Sequence, residues 1–110
     1  IKSVVSLKPE YLKGEHMSFN ITYVSISHQK RWAVFTLVVF DDLDVPIGWI
    51  TVGIWVEYCT HWIVLECIVV PKWAFIGQGK VHVNILDELP SRGGVQYCPE
   101  KVIYIGLVRP

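Results

Sequence analysis

Val69 to Glu100, VVPKWAFIGQGKVHVNILDELPSRGGVQYCPE, is the stretch that decides how the whole 110-residue chain is read. An apolar run is stopped by Pro71, a glycine-bearing turn follows at Gly77 to Gly79, and Lys80 to Leu86 then alternates Val81, Val83 and Ile85 with His82 and Asn84. A second loop rich in proline and glycine carries Cys98. Strand, turn, strand and loop in this order are the pattern of an antiparallel β-sandwich. The pair Gly77 and Gly79 lacks the third glycine and the following helix of a dinucleotide-binding fingerprint, so the stretch predicts architecture and no chemistry.

Working outward, the same period of two continues toward the N-terminus. Met17, Phe19, Ile21 and Tyr23 alternate with His16, Ser18, Asn20 and Thr22, a half-buried strand. The phase slips at Tyr23 to Val24, where a bulge or a strand end is expected. Trp32 to Phe40 is apolar on both faces and reads as a strand that is either central and covered twice or covered by another molecule. Beyond the acidic turn Asp41, Asp42, Asp44, the set Ile50, Val52, Ile54, Val56 and Tyr58 reads as a core face, leaving Trp49, Thr51, Gly53, Trp55 and Glu57 on the other. Trp62 to Val70 gives another strand. Ile1 to Leu7, closed by Pro9, and Val102 to Val108 read as edge strands. The total is about seven strands in one domain, 1–110, with no 3.6-residue amphipathic pattern and no internal repeat.

Composition excludes several function classes. Charged residues are 18% and apolar residues 52% of the chain, and the net formal charge is zero with basic residues scattered. That gives no electrostatic footprint for nucleic acid or an anionic membrane. Asp41, Glu57, His61, Glu66 and Lys72 interrupt any run long enough to span a bilayer as a helix. The chain starts at Ile1 without methionine, which fits either a secreted protein whose signal peptide has been removed, the favoured reading, or a domain cut from a longer chain.

The order of these segments resembles immunoglobulin-like domains of secreted and cell-surface proteins. The residues that carry the likeness are the GE-x-x-x-F-x-I strand, the long apolar strand running into an Asp-rich turn with PIG, and the late PKWAFIGQGKVHVN segment. The P-S-R-G-G-V-Q-Y-C-P-E loop before the last strand resembles the modular Ig-like domains of archaeal cell-surface proteins. The resemblance implies an all-β, Ig-like antiparallel sandwich and a role in binding, spacing or assembly. Cys67 and Cys98 depart from the antibody pattern, so its inter-sheet disulfide is not carried over.

The candidate sites follow from residue chemistry. The tryptophans rank first: Trp49 and Trp55 share the non-core face of one strand, Trp62 is expected across from them, and Trp32 extends the set. Each ring buries on the order of 200 Å² when covered, so several left in water mark an interaction surface. One reading is inter-subunit packing in a surface filament, pilus-like fibre or cell-surface layer, with strand complementation by the N-terminus as an added device. The alternative is a carbohydrate-binding module that stacks the tryptophans on a glycan, and the bland reading is that these tryptophans are core. Asn20, Ile21, Thr22 is a glycosylation sequon with Asn20 on the polar face.

Three cysteines cannot all pair within one chain. Cys59 with Cys98 is the preferred bridge, with Cys59 to Cys67 and three reduced thiols as alternatives. Asp41, Asp42 and Asp44 read as a solvated turn, since they lack EF-hand spacing, and the four histidines show no zinc pattern, so no metal and no cofactor is expected. Glu57 and Glu66 could meet across a hairpin, but two carboxylates on a wet face need no catalytic explanation. No nucleophile motif appears, and no enzyme activity is expected.

Overall fold

A computed structural model describes residues 3–6, 8–25 and 28–108, excluding the side chains at 3, 4, 60, 62 and 66–68. Eight strands are found among the described residues: β1 (Ser3–Ser6), β2 (Glu10–Leu12), β3 (His16–Ser25), β4 (Arg31–Phe40), β5 (Pro46–Val56), β6 (Cys59–Val69), β7 (Gly77–Leu86) and β8 (Lys101–Val108). A single 3-10 turn at Pro90–Arg92 interrupts the loop before β8. The strands form two sheets, one ordered β1-β3-β6 and the other β2-β8-β7-β4-β5. No helix among the described residues is long and apolar enough to cross a membrane.

The period of two in the sequence produces the core. Met17, Phe19, Ile21 and Tyr23 of β3 are buried, as are Ala33, Phe35, Leu37 and Val39 of β4 and Val81, Val83 and Ile85 of β7. The Tyr23 and Phe35 rings, one from each sheet, meet with centroids 5.0 Å apart. The two sheets therefore pack their apolar faces on each other, which removes those side chains from water.

Several expectations are corrected. The register of β3 with β6 runs unbroken through Tyr23, Val24 and Ser25, and the irregularity falls between Met17 and Phe19 instead. Gly77 to Gly79 is not a turn. It opens β7, with Gly77 opposite Leu107 and Gly79 opposite Ile105. A Cβ at residue 79 would be crowded, 3.0 Å from the Ile105 side chain and 3.2 Å from the Phe40 carbonyl oxygen, which suits glycine there. The reversal lies earlier, where the Ala74 amide donates to the Pro71 carbonyl at 3.1 Å.

The eighth strand is β2, which pairs in parallel with β8 over Glu10 to Leu12, so the fold is not wholly antiparallel. Charged neighbours hide it in the sequence, and Tyr11 makes it possible. That side chain is only 1% exposed. Its hydroxyl lies 2.7 Å from Ser6 Oγ, donates to the Ser18 carbonyl at 3.1 Å and receives the Lys8 amide at 3.3 Å. One phenol thus ties β1, β2 and β3 together.

The acidic turn between β4 and β5 is also not simply solvated. Asp41 is fully buried. Its Oδ1 receives the amides of Leu43 and Val45 at 3.0 Å each, and its Oδ2 receives the Phe75 amide at 3.1 Å. Asp42 accepts from the Gln78 amide at 3.0 Å, and Asp44 meets Lys80 Nζ at 2.7 Å. Buried carboxylates require such donors. The three aspartates hold the β4 to β5 turn against the start of β7.

Candidate functional site

The face of the five-stranded sheet turned away from the core holds the features that burial does not account for. Because side chains alternate along a strand, β5 sends Ile50, Val52, Ile54 and Val56 toward the core and Trp49, Thr51, Gly53 and Trp55 outward. Trp49 is 71% and Trp55 64% exposed. Tyr58 lies past the end of β5 and is exposed too, so it does not extend the core face.

On β4 next door, Trp32 stands opposite Trp55 and Val38 opposite Trp49. The Trp32 and Trp55 rings meet edge-on, with centroids 5.4 Å apart. Trp32 can lie flat because residue 53 is glycine: a Cβ there would come within 2.3 Å of Trp32 Cζ2. The Tyr97 hydroxyl donates to the Trp32 carbonyl at 2.9 Å and fixes that end of β4. Val34 sits between Gly53 and Leu86 in the ladder and is fully buried although it belongs to the outward set. A small apolar patch has therefore formed on the outer face itself.

The β7 side of the same face is polar and internally paired. Glu100 Oε1 lies 2.9 Å from His82 Nδ1, and Glu100 Oε2 receives Asn84 Nδ2 at 2.8 Å. Gln96 Nε2 in turn donates to Asn84 Oδ1. The Asn84 hydrogen bond first, and His82 second, hold the Glu100 carboxyl below the usual glutamate range. The Phe40 ring approaches His82 edge-on at 5.0 Å. Lys80 is held above the usual lysine value by its hydrogen bond to Asp44.

The two edges of this sheet differ as well. β8, expected to be a free edge over Val102 to Val108, is covered by β2 from Gly106 to Val108, and the Gly106 amide donates to the Pro9 carbonyl at 2.9 Å. β5 is the opposite edge, and among the described residues no strand pairs with its outer side. From Ile47 to Val56 it contains no charged residue. β1 is an edge of the three-stranded sheet, as expected, and is paired with β3 of its own chain.

The remaining predicted sites are dispersed. Trp62 does not lie across from Trp49 and Trp55: β6 joins the other sheet, where residue 62 is opposite Thr22, and the side chain lies outside the described residues. Adjacent strands in sequence usually pair, but the chain crosses between sheets at Glu57 and Tyr58. Glu57 lies 3.3 Å from Lys30, and the side chain of Glu66 is outside the described residues.

Asn20 falls on the central strand of its sheet, between Val5 and Val64, half-buried, with its Oδ1 lacking a hydrogen-bond partner among the described residues. Cys59 is an exposed thiol at the start of β6, at φ 125°, and is not joined to Cys98 in this structure. Cys98 packs against the core, while the side chain of Cys67 lies outside the described residues. Near Cys98 a cavity of about 590 Å³ opens between the sheets, lined by Tyr23, Phe35, Val56, Ile85 and Tyr97 among others. Burial raises the Tyr23 phenol above its usual value. The cavity walls are mostly apolar, with Ser25 and Arg31 among the lining.

Among the described residues no group of His, Cys, Asp and Glu is placed to hold a metal ion. No protein-family model matches the chain, and no curated protein matches it in sequence. The geometry therefore offers a surface and an edge: two exposed tryptophans beside an uncharged, unpaired strand.

Proposed function

We propose that this chain is a structural subunit or domain of an extracellular assembly, such as a surface filament, pilus-like fibre or cell-surface layer, built on an immunoglobulin-like β-sandwich. The observation that carries the reading is the pair Trp49 and Trp55, 71% and 64% exposed on the outward face of β5. A lone exposed apolar residue is ordinary, but two tryptophans on the same face of one uncharged strand, one of them packed on Trp32, support an interaction surface.

The strand order supports the immunoglobulin-like part of the reading. In this reading β1, β3 and β6 correspond to strands A, B and E, and β8, β7, β4 and β5 to G, F, C and C′, with β2 as an addition. Neither β3 nor β7 contains a cysteine, and apolar side chains such as Phe19 and Val83 fill the middle.

Magnitudes limit what the tryptophans achieve alone. Covering both removes roughly 250 Å² of largely apolar surface, or about 6 kcal/mol at 25 cal/mol per Å². Association costs about 4 to 15 kcal/mol in lost translational and rotational freedom. Two rings offset only the lower part of that range, so assembly requires further contacts beside them. The N-terminal strand is a poor source of these, because β1 pairs with β3 in its own chain.

Sedimentation velocity over a concentration series tests the proposal. The sedimentation coefficient should rise with concentration, and Trp49→Ala or Trp55→Ala should suppress the rise while leaving the fold intact. A strictly monomeric wild-type protein at the highest soluble concentration would remove the proposal. The carbohydrate-binding reading rests on the same rings, which stand roughly 20 Å apart along the strand. It predicts a monomer whose glycan binding is lost in either variant.

A further inference from the structure

Of the edges left unpaired among the described residues, which include β1 and β6 of the three-stranded sheet, β5 carries a sequence that matches itself. β5 reads PIGWITVGIWV from Pro46 to Val56, and about Val52 it is a near-palindrome. Thr51 and Gly53, Ile50 and Ile54, and Trp49 and Trp55 lie at equal distances on either side. We infer that two copies of this chain join by antiparallel pairing of their β5 edges, with a two-fold axis through Val52. This inference rests on the assembly proposed above and names the edge and register by which it begins.

The pattern satisfies the requirements of a sheet pair on both faces. In an antiparallel ladder, residues directly opposite each other project to the same face with Cβ atoms about 4.5 to 5.5 Å apart. With Val52 opposite Val52, each Trp49 is opposite Trp55 of the second copy on the outward face. Each Ile50 is opposite Ile54 of the second copy on the core face. The two five-stranded sheets then form one continuous sheet, and the row Trp32, Trp55 runs on into Trp49 and Val38 of the second copy.

A two-fold axis through Thr51 instead would set Trp49 against Gly53 and Trp55 against Ile47, losing both aromatic pairs. Pairing about a point between residues would place tryptophans against core-facing isoleucines. Of these registers, only the one about Val52 sets both tryptophans of each copy against tryptophans of the other. Natural edges are blunted by lysine, by a bulge or by proline; β5 has no lysine, and its proline, Pro46, and its bulge, at Ile47 between the partners of Phe40 and Val39, both lie at the N-terminal end, outside Trp49 to Trp55. The backbone hydrogen bonds of such a pair are the contacts that the tryptophans by themselves do not supply.

Two sets of variants test this in the full chain, in a Cys59→Ser background that removes the exposed thiol. Val52→Cys should form a disulfide-linked dimer on mild oxidation, because the axis passes through that residue. Thr36→Cys, at the centre of the outward face on β4, should not, although it would if sheets stacked face to face. Trp49→Lys and Trp55→Glu should each weaken dimerisation about tenfold. The double variant should recover to within about threefold, since each lysine then faces a glutamate of the second copy. Cross-linking at Val52 together with recovery in the double variant supports the inference. Association of the wild type with cross-linking at Thr36, none at Val52 and no recovery overturns it while leaving the packed-face proposal standing. A wild type that never associates overturns both.

Discussion

The five-stranded sheet has one finished half and one bare half. On the β7 and β8 side the edge is partly covered by β2, and the outward face carries Lys80, His82, Asn84, Gln96 and Glu100, paired with one another or with Asp44, beside the exposed ring of Tyr104. On the β4 and β5 side the edge is unpaired among the described residues, and the outward set is Trp32, Val34, Thr36, Val38, Phe40, Trp49, Thr51, Gly53 and Trp55, without a charge. The same backbone scaffold serves both halves. The difference shows that the chain has the means to close an edge and to solvate a face, and uses them on one side only. Such asymmetry supports the proposal of a partner on the bare flank.

The largest way to break this contrast is to undo the finished half. Tyr11→Ala removes a fully buried ring and the hydroxyl that joins Ser6, Lys8 and Ser18. The loss in unfolding free energy should be about 3 to 5 kcal/mol in urea denaturation, whereas Tyr11→Phe should lose only about 1 kcal/mol. With β2 released, the β8 edge over Gly106 to Val108 becomes available, and the variant should aggregate by a route that Trp49→Lys does not block. A Tyr11→Ala protein within 1 kcal/mol of the wild type would mean that β2 does not hold that edge.

A smaller effect sharpens the bare half. Gly53→Ala places a methyl group where Trp32 lies, within 2.3 Å of Cζ2. The indole must move off the strand, at a cost of about 1 to 3 kcal/mol as for other overpacked sites. Tryptophan emission should shift to longer wavelength as Trp32 gains water. The same substitution at Gly93, where a Cβ meets nothing within 4 Å, is strained only by its φ of 77° and should leave tryptophan emission unchanged.

The bare half was largely legible in the sequence and the finished half was not. Trp49 and Trp55 fall opposite a run of core residues by simple alternation, and nothing distant is needed to place them outward. Tyr11 sits among charges in a three-residue strand, and its burial depends on β8, almost a hundred residues later. Gly77 and Gly79 carry the local signal of a turn, yet they sit in a strand, where Gly77 has a positive φ of 138° with Asp42 against it and Ile105 and Phe40 crowd Gly79. Trp62 was grouped with Trp49 because neighbouring strands usually pair, and the crossing between sheets after Val56 has no marker in composition. The edges misread for the same reason: which strand ends a sheet is decided by pairing across the whole chain. Periodicity reports the face of a residue, whereas partners and edges are long-range properties.

The smallest effect distinguishes the halves by pH. The Glu100 carboxyl is held below the usual glutamate range by Asn84 first and His82 second. A depressed value in the folded state contributes stability above the unfolded value, and that contribution is lost as pH falls through the folded one. Because Glu100 is partly exposed, solvent screening keeps the effect below about 1 kcal/mol. Wild type should therefore exceed Glu100→Gln in stability near neutral pH, with the difference closing from the ordinary glutamate range downward. Asn84→Ala, by removing the larger cause, should move that closure to higher pH. The bare half has no ionisable side chain between Ile47 and Val56, so association through β5 should be unchanged between pH 7 and about pH 5, above this window. If instead association falls in step with Glu100 protonation, the polar half belongs to the contact, and the division between the two halves is not the boundary of the interface.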